Sequence, residues 1–278
     1  MSGIYHSRGF WWGMIRQPAW HLREWARSPA YRALHRFARQ LRNQPRFTPA
    51  TVVFANRRVH LCDPASFLSA WDEIFVNRIY EIALDEGKVP CLVDAGANIG
   101  LAALFWKWRY GRFRYLGIEP DPAVAACCRR NLQEWDVDGE LIESAVAGTE
   151  GRAWFAPDGA DGGRLLAAAP AGVRAISVTR TCLSRLLPER VDLLKIDVEG
   201  AEGEVLIEIA PALPRVRALF VEWHGGAHRP GLGAAITRLE AAGFDCFVQV
   251  AQGPTHPFLA VRPANGFDQQ LNLYAVRP

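Results

Sequence analysis

The sequence predicts an α/β fold built around a mostly parallel sheet, with helices on both faces. From residue 90 onward, short apolar runs alternate with helical patterns, as expected where a crossover helix follows each strand. The first run leads into a glycine-containing turn, "VDAGANIG" at 93–100, and later runs end in carboxylates. The carboxyl ends of strands line the ligand cleft in such sheets, so both features indicate a binding site.

Seven apolar runs in this region are strand candidates. They cover residues 91–94, 114–119, 139–144, 191–197, 218–223, 244–250 and 271–276. The helices between them are predicted to begin near Ile99, Asp121, Ala201 and Leu232. Only a loop separates the last two runs, so we expect one of them to be antiparallel. Residues 150–180 break the alternation and predict an inserted hairpin; its stretch 157–172 matches no motif.

The residues before position 90 divide into two further segments that differ in composition and in hydrophobic pattern. Residues 1–49 are predicted to form a basic, aromatic-rich helical extension, and residues 50–89 a hairpin with a helical lead-in. Residues 90–278 then form the main domain. A chain of 278 residues, half of them hydrophobic and 22% charged, suits one large core with an appendage.

The individual elements of these two segments can be predicted as well. A helix over residues 20–42 is interrupted at Pro29. The hairpin turns at Ala55-Asn56. The helix that follows is capped by Asp63, and Gly87 is predicted to end it.

The basic residues are concentrated at the N-terminus. Residues 1–46 hold nine arginines and one acid, Glu24, so the net charge of +3 leaves the rest of the chain near −5. Two interpretations stay open, an interfacial helix on an anionic membrane and a helix packed on its own domain or on a partner subunit. The packing face would be Tyr31, Leu34, Ala38 and Leu41.

Composition excludes several other classes. No apolar run approaches the roughly 18 residues of a membrane-spanning helix. The six cysteines form no CxxC pair and no His/Cys cluster, so reduced cysteines are expected. No recognised nucleic-acid-binding module accompanies the basic segment, and no nucleic-acid partner is predicted. We therefore predict a cytoplasmic protein, with residues 1–46 as the part that could contact the inner membrane face.

The glycine turn and the next strand end together favour a nucleoside ligand. Gly96 and Gly100 allow a sharp turn and close approach of a ligand. Glu119 ends the second strand, where an acid can bind ribose hydroxyls. Asp94 would repel a pyrophosphate, and the GxGxxG spacing of dehydrogenases is absent.

Four motifs carry a family resemblance: "VDAGANIG", "GIEPD", "VDLLKIDVEGAE" and "LFVEWH". Over residues 50–278 the chain resembles the S-adenosylmethionine-dependent methyltransferases of the FkbM family. The resemblance implies the Rossmann-like class I methyltransferase fold, a seven-stranded sheet with the last strand inserted antiparallel. It also implies a cofactor site that comprises Asp94, Gly96, Asn98 and Gly100 for the methionine end, Glu119 for the ribose, and Ser144 with Ala145 near the adenine.

The acidic end of the fourth strand is where catalysis is expected. Methyl transfer to a hydroxyl needs a group that orients the acceptor or takes its proton. Asp197 is the first candidate for that role, or for part of the methionine pocket. Glu222 and His224, at the mouth of the fifth strand, are further candidates, as is Glu199. Glu202 is assigned to the N-terminus of a helix, where acids are favoured without a catalytic role.

The resemblance implies O-methylation of a hydroxyl, with S-adenosylhomocysteine as the product. The predicted acceptor is a sugar in a glycan or glycolipid; a small natural product and a non-catalytic S-adenosylmethionine-binding protein are the alternatives. No Asp/Asn-Pro-Pro-aromatic motif follows the fourth strand, which disfavours methylation of nucleic-acid amines. Asp197, Glu222 and His224 are oxygen and nitrogen donors that suit Mg²⁺, but their spacing does not require a metal, and none is predicted.

Overall fold

The computed structural model describes residues 18–160, 162–166, 172, 175–226, 231–254, 258 and 267–278, with side chains from residue 23 onward. The chain divides into two compact units, the first ending at Ile79 and the second running from Tyr80 to Pro278. The finer division at residues 49 and 89 stays a prediction. Within the described ranges, no helix is long and apolar enough to cross a bilayer.

Two helices open the described part of the first unit: α1 spans Pro18–Arg27 and α2 spans Pro29–Leu41. Ser28 separates them, and its hydroxyl accepts a hydrogen bond from the backbone N–H of Tyr31 at 3.1 Å. Proline lacks the N–H that a continuing helix needs, but it suits the first turn of a new helix. The predicted interruption at Pro29 is therefore confirmed.

The apolar face of α2 is buried within the first unit. Three of the four residues predicted for this face are at most 3% exposed, and these are Tyr31, Leu34 and Leu41. On the same helix the Phe37 ring lies 5.0 Å from the ring of Trp71 in an edge contact. This face is thus occupied by its own unit. Residues 1–17, with Trp11 and Trp12, lie outside the described residues, and membrane contact by this segment stays a prediction.

A hairpin follows these helices. Strand β1 (Ala50–Phe54) pairs antiparallel with β2 (Arg57–Leu61). Ala55 and Asn56 form its turn with φ values of 50° and 61°. A two-residue hairpin loop needs positive φ at both central positions, which asparagine adopts more readily than most residues. The predicted turn is confirmed.

Helix α3 spans Pro64–Trp71 and continues as a π-helical turn over Asp72–Val76. The carboxylate of Asp63 accepts a hydrogen bond from the backbone N–H of Ser66 at 2.9 Å, as predicted for the N-cap. The prediction that the helix continues to Gly87 is wrong, because it ends at the π-helical turn.

The chain leaves the helix there because the following residues bond to distant parts of the sequence. Arg78 adopts a φ of 55°, outside the right-handed helical region. The hydroxyl of Tyr110 donates to the carbonyl of Ile82 at 3.0 Å and accepts from its N–H at 2.8 Å. Asp85 forms ion pairs with three basic side chains, Lys88, Arg190 and Arg217. Tertiary contacts therefore override the local helical pattern.

The second unit is an alternation of strands and helices. Its described strands are β3 (Cys91–Ala95), β4 (Arg114–Ile118), β5 (Gly139–Ile142), β6 (Ala145–Val146), β7 (Gly151–Ala156), β8 (Arg164–Leu166), β9 (Ile176–Thr181), β10 (Leu193–Ile196), β11 (Ala218–Gly225), β12 (Asp245–Gln252) and β13 (Gln269–Val276). Its described helices are α4 (Leu101–Tyr110), α5 (Pro122–Glu134), α6 (Glu202–Glu208) and α7 (Leu232–Ala241), with 3₁₀ turns over Leu183–Arg185 and Ala210–Arg215.

The larger sheet has seven strands in the spatial order β12-β13-β11-β10-β3-β4-β5. Strand β13 runs antiparallel to both of its neighbours, and the other neighbouring pairs of this sheet are parallel. The last strand is therefore inserted antiparallel, as the resemblance implies. This is the predicted Rossmann-like class I methyltransferase fold, and the fold class is confirmed.

Helices cover both faces of the large sheet. On one face Val93 of β3 belongs to a buried apolar cluster with Val205 of α6. On the other face the Trp106 ring of α4 lies 6.4 Å from the Tyr115 ring of β4. The Tyr115 hydroxyl donates to the carboxylate of Asp94, so Asp94 lies on this second face, opposite Val93.

A smaller sheet, in the order β6-β9-β7-β8, interrupts the alternation between β5 and β10. Strands β7 and β9 pair antiparallel and are the hairpin predicted within residues 150–180. Phe155 of β7 and Val178 of β9 form a buried cluster with Ala145 of β6. Residues 161, 167–171, 173 and 174 lie outside the described part, and the function of the 157–172 stretch stays open.

Candidate active site

The carboxyl ends of β3 and β10 lie side by side where the chain reverses its direction across the sheet. From β3 the chain proceeds outward through β4 and β5, and it then returns to β10 on the other side of β3. Ligands of open α/β sheets bind at such a switch point. The two predicted site segments, 93–100 and 193–202, lead out of these two strands. The fold therefore brings the glycine loop and the acidic strand end together.

Gly96 is the residue at which the two strand ends touch. Its φ is 85°, a conformation that glycine adopts without strain. Its N–H donates to the carbonyl of Ile118 at 3.0 Å. A Cβ atom at this position would lie 1.8 Å from the backbone oxygen of Asp197, so only glycine fits here. The predicted contact of Gly96 with the cofactor stays a prediction.

Gly100 lets the glycine loop approach α5 closely. Its φ is 83°, and a Cβ atom there would lie 2.9 Å from the Sγ of Cys128. Cys128 is fully buried, and burial raises the pKa of its thiol well above the usual range. The thiol is therefore neutral and acts as a packing group under the loop.

Glu119 holds the glycine loop through its carboxylate. The backbone N–H of Asn98 donates to Oε2 at 2.9 Å, and the N–H of Asp121 donates to Oε1 at 2.9 Å. The residue is only 7% exposed, and burial raises its pKa to about 7 although both hydrogen bonds oppose that shift. Each carboxylate oxygen keeps a further lone pair, so ribose hydroxyls could still bind as predicted.

The side chain of Asn98 is engaged within the protein. Its φ is 49°, its Oδ1 accepts from the N–H of Ile99 at 2.6 Å, and its Nδ2 donates to the carbonyl of Ala160 at 3.1 Å. Ala160 belongs to a turn in which its own backbone N–H donates to Oδ1 of Asp158 at 2.8 Å. Asn98 thus connects the glycine loop to the inserted segment, and its cofactor contact stays a prediction.

Ser144 and Ala145, predicted near the adenine, lie where the chain passes from β5 of the larger sheet to β6 of the smaller sheet. The hydroxyl of Ser144 is 2.6 Å from the hydroxyl of Thr181 and donates to the carbonyl of Thr179 at 3.0 Å. Both Ser144 and Ala145 are buried. The Ser144 hydroxyl is therefore occupied, and a contact of this pair with adenine stays a prediction.

Lys195 lies beneath the glycine loop and joins three groups of the site. Its ammonium lies 3.1 Å from Asp94 and 3.4 Å from Asp197, and it donates a hydrogen bond to the carbonyl of Gly96. Burial lowers the pKa of Lys195, but the charges of Asp94 and Asp197 outweigh it and raise that pKa above its usual value. Lys195 is thus paired with two acids.

A second charged group surrounds His224 at the end of β11. Its Nδ1 lies 2.9 Å from Glu202 Oε1, and its Nε2 lies 3.6 Å from Glu199 Oε2. Burial lowers the pKa of His224, yet Glu202, Asp197 and Glu199 together raise it to about 10. The ring is therefore protonated at neutral pH. A protonated ring donates rather than accepts a proton, and the catalytic role of His224 stays a prediction.

Glu202 has a larger role than its position in the sequence indicates. The residue is 1% exposed, and its Oε1 also accepts from the backbone N–H of Gly200 at 2.8 Å. It therefore closes the turn after β10 and orients His224 at the same time. Its predicted position at a helix N-terminus is confirmed, since Glu202 is the first residue of α6, and the contact with His224 gives it a second role. Its partner His224 lies 22 positions away, so no local pattern could have revealed it.

The structure also shows which of the predicted acids lie near His224. One ligand atom from each of Asp197, Glu199 and His224 lies within 4.8 Å of the other two. Glu222 does not belong to this group, although its charge acts on Lys195. Among the described residues, the donor set that could hold a metal therefore contains Glu199 in place of Glu222.

The chain is similar in sequence to known methyltransferases. Residues 94–246 match the methyltransferase FkbM domain family. The methyltransferase sdnD of Sordaria araneosa is 32% identical over 215 residues, which cover 63% of this chain and 81% of sdnD. The 31-O-demethyl-FK506 methyltransferase FkbM of Streptomyces tacrolimicus is 31% identical over 220 residues, or 65% and 82% of the two chains. The 2-O-methyltransferase NoeI of Sinorhizobium fredii is 26% identical over 163 residues, or 51% and 66%.

Proposed function

Because the chain belongs to the FkbM family of methyltransferases, we propose that it transfers the methyl group of S-adenosylmethionine to a hydroxyl oxygen. Methyl transfer and its cofactor follow from the family. The choice of oxygen rests on one observation above all, which is the carboxylate of Asp197 at the strand end that touches the glycine loop. An alcohol must lose its proton as it attacks, and a carboxylate at this position can take it.

The cofactor is proposed to lie over the glycine loop. Gly96 and Gly100 let this loop pack closely on Asp197 and Cys128. The remaining lone pairs of Glu119 would accept the ribose hydroxyls. Asp94, with Lys195 and Tyr115, supports the loop from below and need not touch the ligand. The same loop packs on the backbone of Asp197, so the fold would hold the bound cofactor close to the carboxylate that takes the proton.

The reaction is a single displacement. The acceptor oxygen forms a bond to the methyl carbon as the bond from that carbon to sulfur breaks, and the sulfur keeps the electron pair as S-adenosylhomocysteine. The acceptor proton passes to Asp197. His224, already protonated, stabilises the nearby carboxylates and donates rather than accepts. Glu222 is the second candidate for the proton acceptor.

A sugar hydroxyl of a glycan or glycolipid is the acceptor we propose. Asp197 and Glu199 offer oxygen atoms within 4.8 Å of each other, which suits recognition of adjacent hydroxyls on one ring. Two relatives are named for chemistry at oxygen, one as a 2-O-methyltransferase and one for 31-O-demethyl-FK506. The second name keeps a small natural product as the alternative acceptor.

Transfer from labelled S-adenosylmethionine tests the function directly. Purified protein is incubated with the methyl-labelled cofactor and with either cell glycans and glycolipids or small-molecule extracts, and products are identified by tandem mass spectrometry. We expect an alkali-stable methyl ether on a sugar fragment. A label on nitrogen, or on an alkali-labile ester, would exclude methylation of an alcohol. Cofactor binding without any transfer would favour the non-catalytic alternative.

The elevated pKa of Glu119 predicts a pH-dependent cofactor affinity. Only the ionised carboxylate offers all its lone pairs to hydroxyl donors, so binding favours the form present above about pH 7. We expect the Kd for S-adenosylmethionine to rise up to about tenfold per pH unit below pH 7. Calorimetry from pH 5.5 to 8.5 should show this in the wild type and in the control Glu140→Gln, an exposed acid on β5.

Glu119→Gln should bind about 1.5–3 kcal/mol more weakly at pH 8 and lose that pH dependence. The stability of the cofactor-free wild type should depend on pH in the opposite direction to its affinity for the cofactor. The folded pKa of about 7 exceeds the ordinary value of 4.5, so stability declines as pH rises from 4.5 through 7. A wild-type Kd that is constant over this range would contradict the role of Glu119.

A further inference from the structure

We propose that Asp197, Glu199 and His224 bind a divalent transition-metal ion, with Glu202 holding the imidazole in place. The proposed site lies beside the glycine loop, at the carboxyl ends of β10 and β11. Its catalytic purpose rests on the proposed function, because the ion would hold the acceptor hydroxyl there. Its existence as a binding site rests on the side chains alone.

The spacing of the His224 and Glu199 donor atoms suits a single ion. One ligand atom from each of the three residues lies within 4.8 Å of the others, and His224 Nε2 stands 3.6 Å from Glu199 Oε2. Two ligands bound at about 2.1 Å to one ion stand about 3.0 to 4.2 Å apart, depending on the angle. The separation of 3.6 Å is too long for a direct hydrogen bond and falls inside that range.

His224 provides an independent sign of a missing ligand. The residue is 1% exposed, and its Nε2 has no hydrogen-bond partner among the described residues. Its other nitrogen, Nδ1, is held by the Glu202 carboxylate, so Nε2 is aimed at Glu199. A carboxylate that binds one nitrogen of a histidine while the other nitrogen binds metal is a recurrent arrangement.

The surrounding charges favour a cation at this position. Asp197, Glu199 and Glu202 all act on His224, and the positive charges of His224 and of Lys195, which lies 3.4 Å from Asp197, offset only part of theirs. A metal ion would take the place of the Nε2 proton and leave the neutral imidazole that ligation requires. Glu199 is held in the left-handed conformation, with φ of 53°, a strained state that a functional role can explain.

The donor set indicates which ions fit. An imidazole nitrogen with two carboxylates suits Mn²⁺ or Zn²⁺ better than Mg²⁺ or Ca²⁺, which prefer oxygen ligands only. An ion here would bind the acceptor hydroxyl and lower its pKa. One oxygen of Asp197 would ligate the ion, while the Lys195 ammonium lies 3.4 Å from Oδ2 of the same carboxylate.

Mn²⁺ binding to the untagged full-length protein tests the inference without any turnover. Chelator-treated protein is titrated with Mn²⁺ and followed by electron paramagnetic resonance, with Zn²⁺ as competitor. We expect one tightly bound Mn²⁺ per chain. Binding should weaken at least tenfold in Glu199→Gln and in Glu202→Gln, and it should be unchanged in Glu204→Gln, an exposed acid on the same helix as Glu202.

Glu199 is partly exposed, so Glu199→Gln should stay folded even if variants of the buried His224 do not. Circular dichroism and cofactor binding on the same samples check this. No Mn²⁺ or Zn²⁺ binding to folded wild type would overturn the proposal, as would tight binding that Glu199→Gln leaves unchanged. Full methyl transfer after chelation refutes the metal role and leaves the proposed function intact. Site-specific Mn²⁺ binding without methyl transfer supports the metal site and refutes the proposed function.

Discussion

Asp197→Asn should lower turnover by about 10²- to 10⁴-fold while changing the affinity for S-adenosylmethionine little. The substitution keeps the shape of the side chain and one hydrogen-bond acceptor, but it removes the charge that accepts the proton of the acceptor hydroxyl. The backbone of residue 197, which touches Gly96, is unaffected, so the glycine loop keeps its position. Initial rates with labelled cofactor, at saturating concentrations of both substrates, give the measurement.

The matched control is Asp245→Asn, which removes an exposed carboxylate at the start of β12 and should leave the rate unchanged. Calorimetry on both variants separates binding from chemistry. Loss of cofactor binding with normal turnover at saturation would place Asp197 in the methionine pocket. The proton acceptor would then be Glu222, because His224 is protonated at neutral pH.

Lys195→Met should lower the free energy of unfolding by about 3–5 kcal/mol. The substitution keeps the length of the side chain but leaves the fully buried carboxylate of Asp94 without its counter-ion. The carbonyl of Gly96 loses its hydrogen bond from the ammonium as well. A buried charge without a partner lowers the free energy of unfolding. The substitution should therefore destabilise the protein by more than the energy of the lost Lys195–Asp94 contact.

Urea unfolding of the cofactor-free protein measures this loss. The double variant Asp94→Asn with Lys195→Met removes both charges and should recover part of the stability, because no uncompensated ion remains. Asp94→Asn alone completes the cycle. A loss below about 1 kcal/mol for Lys195→Met would show that Asp94 is protonated, and that the pair is not ionic in the folded state.

The elements that the sequence predicts well are those defined by local pattern. The strands at 91–95 and 114–118 end within a residue of the predicted positions, because buried parallel strands read as continuous apolar runs bounded by turn residues. Asp63 and Pro29 were recognisable for the same reason, since helix capping depends on a few adjacent residues.

The elements that it predicts poorly depend on distant partners. The pattern before Gly87 is helical, yet the helix stops at Val76, and the next residues bond to Tyr110 and Arg217. Glu202 likewise looks like an ordinary helix N-terminal acid until β11 brings His224 beside it. Sequence separation hides such pairs because no propensity acts across 22 residues.

The buried thiol of Cys128 gives the glycine loop an internal reporter. Alkylating reagents attack the thiolate, and burial beneath Gly100 keeps this sulfur protonated and shielded. The thiol can therefore be alkylated only when the loop and α5 separate. The rate of alkylation then measures how often the cofactor site opens. A bound cofactor that holds the loop closed would slow that reaction. The same shielding makes the cofactor loop resistant to oxidative damage for as long as it stays closed.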